Sequence, residues 1–561
     1  MSARQDSPQV VIIGAGAGGG ACAWALAQAK VPVLVLEAGP RYDPTSDYRL
    51  DRNDWEQGGF PAKVPTEGRQ TVAPLQDLDP QWRDLRSWNR TLGNLNTGTR
   101  RRSVGYQHAV GVGGSTLRYT GEAHRLNPAA FRMRSRFGVG ADWPLSYEDL
   151  EPLYAIAEKV VGVSGPAGDD ARCPRSAPYP LPPHAISYAG QRVAQGCRAL
   201  GLSFLPNPVA ALSAIYDDRP PCNYCGNCAN GCSRQDKGST DLTFLRHAEA
   251  TDFCEVRPES TVVAIETGPG DRVVAVRYVD AGGAEHRVAT PALVLAAGVV
   301  ETPRLMLLTR SAQAPDGLGN ETGQVGRHFM ETLSCASTGL HPEPLGSHRG
   351  LPSDGICWDF NAPDAIPGVI GGARFAPAHH ESGLHGPIAY ARRVVGGWGA
   401  GLMRGMVDTF GRVLSVGAIG ESLPNDRSFI DLDPAAKDAH GLAKARIHSH
   451  LEDEALHRLT FMMGKCREIL RASGVDTIFE EISRYDLFGP THVFGTCRMG
   501  TDSADSVTDA WGRCHAWKNL FVADASLFPS TGGGEAPSLT VHALALRVAR
   551  HVADRGRRGE L

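Results

Sequence analysis

The stretch that most constrains this chain is its first 37 residues. Val10-Val11-Ile12-Ile13 is a short run of mostly β-branched residues, apolar at every position, the pattern of a strand covered on both faces. It runs straight into Gly14-Ala15-Gly16-Ala17-Gly18-Gly19. The next eleven residues, GACAWALAQAK, are Ala-rich and favour helix, and Val33-Leu34-Val35-Leu36 is a second buried strand that ends on Glu37. Strand, glycine turn, helix and strand make one complete β-α-β unit.

The glycines of this G-x-G-x-x-G pattern have separate tasks. Gly14 makes the tight turn, Gly16 lets a pyrophosphate approach the backbone, and Gly19 lets helix and strand touch, while the helix N-terminus faces the phosphate charge. Glu37 stands close to the ~20-residue offset of the acid that accepts a ribose hydroxyl. The unit predicts dinucleotide binding; the pattern does not separate FAD from NAD.

At 561 residues the chain exceeds one ordinary core and fits two or three modules of ~100–200 residues. Hydrophobic residues at 42% and charged residues at 21% exclude coiled-coil, collagen-like and wholly disordered classes. Lys+Arg 57 against Asp+Glu 61 leaves a formal charge of -4, which gives no field for nucleic acid or acidic lipid, and Arg100-Arg101-Arg102 reads as a solvated loop. No apolar run reaches the ~20 residues of a membrane span. Val10 to Ile13 lacks the preceding basic region of a signal peptide, so a cytoplasmic location is expected.

Residues 40–100 are polar and aperiodic, a long irregular excursion. Small residues in Gly111-Val112-Gly113-Gly114-Ser115-Thr116 would let backbone lie against a flat ring. The segments 261–266, 273–279 and 292–298 read as consecutive strands and a second piece of the nucleotide-binding sheet, the last entering Gly298 and a helix through Leu305–Leu308. Residues 330–485, with a helix near 452–473, read as a separate domain. Near the C-terminus come His492-Val493-Phe494-Gly495-Thr496-Cys497-Arg498-Met499-Gly500, then Asn519-Leu520-Phe521-Val522-Ala523-Asp524-Ala525-Ser526, then Glu535-Ala536-Pro537-Ser538 opening an Ala/Leu helix.

Taken in order, the N-terminal loop with Glu37, GVGGST at 111–116, AAGVVETPRLML at 296–307, and HVFGTCRMG with NLFVADAS and the last helix resemble the glucose-methanol-choline (GMC) oxidoreductases. The resemblance implies an α/β fold: a Rossmann-like FAD-binding domain, discontinuous in sequence, with an α+β substrate domain on an antiparallel sheet. The expected division is 1–165, with a lid over the cofactor at 40–100; a substrate-side insertion with a Cys-rich loop at 166–235; FAD domain again at 236–330; substrate domain at 331–487; and FAD domain with catalytic residues at 488–561. Trp143-Pro144-Leu145-Ser146-Tyr147 resembles the segment where the chain leaves the lid. FAD rather than NAD is implied, held by Gly14, Gly16, Gly19, Glu37, Gly113, Gly114, Ser115, Thr116, Ala297, Asp524, Ala525, Pro537 and Ser538. Leu117-Arg118-Tyr119 stands where some relatives carry a covalent His, and the first His follows at His124, so the FAD is expected to dissociate.

The implied reaction takes hydride from an alcohol carbon of a sugar or other polyol to the flavin. Removing the hydroxyl proton at the same time calls for a base with a pKa near working pH, and His492 matches the family's catalytic His. Relatives place Asn or His beside the proline of the last helix; here Ala536 precedes Pro537 and Ser538 follows it, which leaves Ser538 and Glu535 as candidates for a second role.

Thirteen cysteines, four of them within eleven residues, argue for a metal or redox site rather than a disulfide framework. Cys222, Cys225, Cys228 and Cys232 form C-x2-C-x2-C-x3-C, the ferredoxin spacing for an iron–sulfur cluster, although Ser233 rather than Pro follows. A structural zinc held by the four thiolates, and plain thiols, are the alternatives. A branch of the family that feeds a cytochrome-bearing partner has a similar loop, which implies a wire from flavin to a cytochrome or quinone acceptor, a small subunit, and export on a signal-bearing partner. An oxidase using O2 and a non-catalytic flavin scaffold are the rival functions.

Overall fold

The structure, a computed structural model, describes residues 8–48, 63–64, 69–168, 172–379 and 383–561. Val10–Ile13 and Val33–Leu36 are strands with every residue buried, and they pair in parallel, Val10 against Val33. Each such side chain taken from water contributes roughly 1.5–3 kcal/mol, enough to fix a central strand. The helix between them spans Ala17–Gln28, beginning earlier than its alanines suggest because Gly18 and Gly19 are helical. A Cβ on Gly18 would lie 1.7 Å from the Ala523 carbonyl oxygen, and one on Gly19 1.9 Å from that of Gly14. These glycines are what allow the helix to lie directly on the strands.

Three further strands complete a five-stranded, wholly parallel sheet in the order Cys254–Arg257, Val33–Leu36, Val10–Ile13, Ala292–Leu295, Leu520–Val522. Its members come from three separated parts of the chain, so the dinucleotide-binding domain is discontinuous. The closing helix, Ser538–Arg557, packs against the first helix.

The segments read as consecutive strands divide differently. Only Ala292–Leu295 joins the parallel sheet. Thr261–Gly268 and Arg272–Val279 pair antiparallel with each other, and Glu285–Ala289 adds a third strand to that separate meander. The short spans between these strands allow hairpins, whereas a parallel pair needs a crossover of a dozen residues or more. The fifth parallel strand, Cys254–Arg257, alternates with charged residues and carries no buried-strand signal.

The second domain is a six-stranded antiparallel sheet in the order Ala373–Pro377, Val413–Gly420, Leu333–Leu340, Thr477–Ser483, Trp88–Asn89, Gly93–Asn94. Helix Asp453–Ala472 covers it, burying Leu456, Leu459, Met463, Cys466 and Leu470 at helical spacing. The excursion after Glu37 is therefore less irregular than its composition suggests: its Trp88–Asn94 hairpin extends the substrate sheet, and Gln70–Val72 pairs with Ala443–His448. The rest of the expected lid, 49–62 and 65–68, lies outside the described residues.

Candidate active site and cofactor cavity

A cavity of about 920 Å³ runs from the N-terminal glycine turn to His492. Gly14, Gly16, Ala17 and Glu37 line one end. Gly14 has φ +100°, and a Cβ there would sit 2.5 Å from the Ala296 carbonyl oxygen, so this turn admits only glycine. Gly16 differs: its φ is -78°, and a Cβ would find only the Gly114 Cα, at 3.8 Å. The first turn of helix Ala17–Gln28 holds no acidic residue and no side-chain cap, leaving its N–H groups and positive dipole end open to an anion. Glu37 accepts from Ala15 N–H and Gly39 N–H, both at 2.9 Å, and burial nevertheless pushes its carboxyl above the usual range.

The GVGGST loop closes over this turn. Gly113, at φ +111°, donates its N–H to the Ala15 carbonyl at 2.9 Å, and Gly114, Ser115 and Thr116 line the cavity. Thr116 Oγ1 donates to the Gly113 carbonyl at 2.6 Å and accepts from Thr240 N–H at 2.9 Å. On the facing wall Ala297, Asp524 and Ala525 contribute. Asp524 is a positioning residue: one carboxylate oxygen accepts from Gly298 N–H at 2.9 Å and Thr302 Oγ1 at 2.7 Å, the other from Ser526 N–H at 2.8 Å. Gly19 and Gly113 act behind the wall rather than on it. An open helix N-terminus, a close pair of backbone loops and a buried ribose-type acid fit a dinucleotide that also carries a flat ring system.

The other end is built by His492, Glu122 and the segment Ala536-Pro537-Ser538. His492 is half-buried and enters strand Val493–Phe494, which pairs with Met330–Glu331; Thr332 N–H donates to the His492 carbonyl at 3.2 Å. Pro537 is the N-cap of the last helix and Ser538 its first residue, one position later than expected of the proline. Ser538 Oγ donates to the Glu122 carbonyl at 3.1 Å.

Glu535 is not brought to the cavity. Its carboxylate, 3% exposed, turns into a buried polar cluster, accepting from Asn361 Nδ2 at 2.8 Å and Asn127 N–H at 3.0 Å with Arg172 at 3.5 Å. Sequence reasoning missed Glu122. Its carboxylate is 3% exposed, accepts from Asn207 Nδ2 at 2.9 Å and pairs with the buried Arg374 guanidinium. Burial alone would raise this carboxyl, but Arg374 and the Asn207 bond hold it below the usual range. The one available signal was a Glu and a His in Gly121-Glu122-Ala123-His124, just after the glycine loop.

The four-cysteine run lies beside this cavity: Gly226 and Ala229 line it, and Lys237 Nζ ties the run to the GVGGST side by donating to the Cys228 carbonyl at 2.7 Å and the Leu117 carbonyl at 3.0 Å. Cys225 is exposed, and Cys222, Cys228 and Cys232 are half-buried. Burial raises the Cys222, Cys228 and Cys232 thiols, that of Cys228 to about 12. Among the described residues no group of three or more His, Cys, Asp or Glu side chains is gathered to hold a metal ion. The ferredoxin spacing is therefore not matched by an assembled ligand set, and the residues as arranged do not fit the expected cluster.

A discontinuous parallel-sheet domain whose dinucleotide cavity reaches His492 is the setting of a flavoprotein oxidoreductase. The chain belongs to the GMC oxidoreductase family. The family's N-terminal model matches residues 183–332 and its C-terminal model 424–545, while a model of NAD(P)-binding Rossmann-like domains matches 12–44. The chain is 28% identical to the fructose dehydrogenase large subunit of Gluconobacter japonicus, covering 98% of each. It is 29% identical to 2-methyl-1,2-propanediol dehydrogenase of Mycolicibacterium austroafricanum, covering 79% of this chain and 81% of that one. The crystal structure of pyridoxine 4-oxidase from Mesorbium loti shares the fold, with a TM-score of 0.59 at 17% identity over 97% of this chain and 99% of that one. Among the described residues no helix is long and apolar enough to cross a membrane.

Proposed function

We propose that the protein oxidises a CH–OH group of a sugar or other polyol to a carbonyl, as a dehydrogenase that passes its electrons to an acceptor other than O2. The observation that carries this reading is the single cavity joining the dinucleotide turn at Gly14–Gly16 to His492. FAD, when bound along Gly16, Glu37, Gly114 and Ala297, supplies the two-electron acceptor for the hydride.

The chain's own residues handle the rest. His492 accepts the hydroxyl proton as the C–H bond breaks: the O–H bonding pair becomes the second bond of the carbonyl, the proton ends on the imidazole, and the C–H pair leaves as the hydride. Ser538 has committed its proton to the Glu122 carbonyl, and its oxygen is left as an acceptor rather than a base. Ala536 has no polar side chain, and its N–H is taken by His124 Nδ1 at 3.0 Å, so neither residue shares the proton step with His492. The N-terminus of helix Ser538–Arg557, with no acidic residue in its first turn, stabilises negative charge that develops beside it.

The dehydrogenase names of two relatives support a non-oxygen acceptor, and the "large subunit" of one supports a partner subunit. No electron step is assigned to the cysteine run, because its residues do not meet the requirement of a ligand set. Turnover of the purified protein on a panel of sugars and polyols with a dye acceptor and with O2 tests the reading. Dye reduction without peroxide is expected. Peroxide at a comparable rate would make the protein an oxidase, and no substrate-dependent reduction would remove the enzymatic reading.

A further inference from the structure

We propose that Glu122, clamped by Arg374 and Asn207, is the specificity-determining group of the substrate end of the cavity, and that it selects alcohols bearing a second hydroxyl near the one oxidised. The inference rests on the proposed oxidation at His492 and names the substrate feature that the same site reads.

Glu122 lines the cavity together with His492 and Ser538. A carboxylate offers about four acceptor positions, and the protein fills one on each oxygen, with Asn207 Nδ2 at 2.9 Å and with Arg374. The residues that hold it, Arg374, Asn207 and His124, are not among those that line the cavity. Arg374 Nε donates to the Gly534 carbonyl at 2.9 Å. His124 accepts from Ala536 N–H through Nδ1 and meets Asn207 Oδ1 through Nε2 at 2.8 Å, so both ring nitrogens are engaged, and burial keeps the ring neutral by lowering it to about 3. Asn207 also donates to the Ser353 carbonyl at 3.1 Å. Glu122 is left with acceptor positions that neither partner fills, in a residue that lines the cavity.

Its charge is already matched by Arg374, so the complement is a neutral donor rather than an ammonium. A hydroxyl supplies one without further charge. With the reacting hydroxyl directed to His492, the donor that reaches Glu122 is a second hydroxyl of the same molecule. A substrate offering only CH3 or CH2 there would bury an acceptor without a partner, the situation in which a polar site rejects an analogue most strongly.

The test uses the FAD-loaded full-length protein and matched pairs, glycerol against propan-1-ol and erythritol against butan-1-ol, with anaerobic flavin reduction as the rate and titration calorimetry of glycerol as a readout independent of turnover. Wild type is expected to favour each polyol by at least about tenfold in kcat/KM. Glu122→Gln is expected to lower the polyol to mono-alcohol ratio of kcat/KM within each pair, and glycerol affinity, at least about tenfold, and Glu122→Asp is expected to recover part of the loss. FAD content and melting temperature establish that each variant folds. Equal use of polyols and mono-alcohols by wild type overturns the subsite even if Glu122→Gln does not fold, as does a variant that lowers both substrates alike. Failure of every alcohol to reduce the flavin instead overturns the oxidation reading, and the subsite with it.

Discussion

Two glycines of the same loop, two residues apart, are expected to fail in opposite ways when given a side chain. At Gly14 the backbone sits at φ +100°, and an added Cβ would lie 2.5 Å from the oxygen and 2.9 Å from the carbon of the Ala296 carbonyl group, backbone atoms that cannot turn aside. The strained dihedral costs ~1–3 kcal/mol and the overpacking a similar amount, so Gly14→Ala is expected to lose about 2–6 kcal/mol, a large share of a typical domain's ~5–15 kcal/mol. At Gly16 the φ is -78° and the nearest foreign atom to a Cβ is 3.8 Å away. Gly16→Ala should therefore cost about 1 kcal/mol or less, mainly through its N-cap position. The larger Gly16→Val places its methyls into the cavity and should weaken FAD binding by about 1–3 kcal/mol, about 5- to 150-fold, with the FAD-free fold intact. Urea unfolding of the FAD-stripped proteins and fluorescence titration with FAD separate the two effects. Equal destabilisation by Gly14→Ala and Gly16→Ala, or a Gly16→Val protein that binds FAD as tightly as wild type, would refute the assignment of a turn glycine and a ligand-facing glycine.

Other sites give independent checks. Asp524→Ala removes an acceptor shared by Gly298 N–H, Thr302 and Ser526, and should cost about 2–4 kcal/mol of thermal or urea stability, with weaker FAD retention, by the loss of several charge-assisted bonds. His542 is buried against Phe244, 4.9 Å between ring centroids, with no hydrogen-bond partner on either nitrogen, and burial lowers it to about 3. Its unfolded form takes a proton below about pH 6.5 while the folded form does not, so stability falls as pH falls from about 6.5 toward 3; at pH 5 the loss is about 2 kcal/mol, and urea titrations at pH 7 and pH 5 should show that difference removed in His542→Leu. Cys225→Ser alters an exposed residue outside the cavity wall and should leave substrate reduction of the flavin within about twofold, measured by stopped-flow absorbance; a tenfold loss would place the cysteine run in the reductive half of the reaction.

The parallel core was legible because burial on both faces writes itself as unbroken apolar runs: Val10–Ile13 and Val33–Leu36 have the bounds read from sequence. Cys254–Arg257 escaped because an edge strand of that sheet keeps polar residues on its open side. The segments 261–266 and 273–279 read as part of the nucleotide-binding sheet because local apolar content does not reveal pairing direction, which depends on connection length. In the site, the glycines and His492 belong to contiguous patterns that sequence can display. Glu122 depends on Arg374 and Asn207, partners 252 and 85 residues away, and Glu535 is claimed by Asn361, 174 residues away. Such distant pairings exist only once the fold is formed, so a sequence displays neither the place of Glu122 on the cavity nor the burial of Glu535 away from it. The cysteine spacing shows the limit from the other side: a pattern can be present in sequence while its side chains are not gathered as ligands.

The central claim, proton removal by His492 during flavin reduction, is tested most directly by an anaerobic spectral titration of the FAD-loaded protein with a panel of sugars and polyols, run side by side with His492→Ala. A yellow wild type bleached by at least one polyol is expected, with a variant equally yellow whose bleaching is slowed by about 10²–10⁴-fold, the usual worth of a positioned general base. Bleaching of His492→Ala at a near-normal rate, or a wild type that no alcohol reduces, would contradict it.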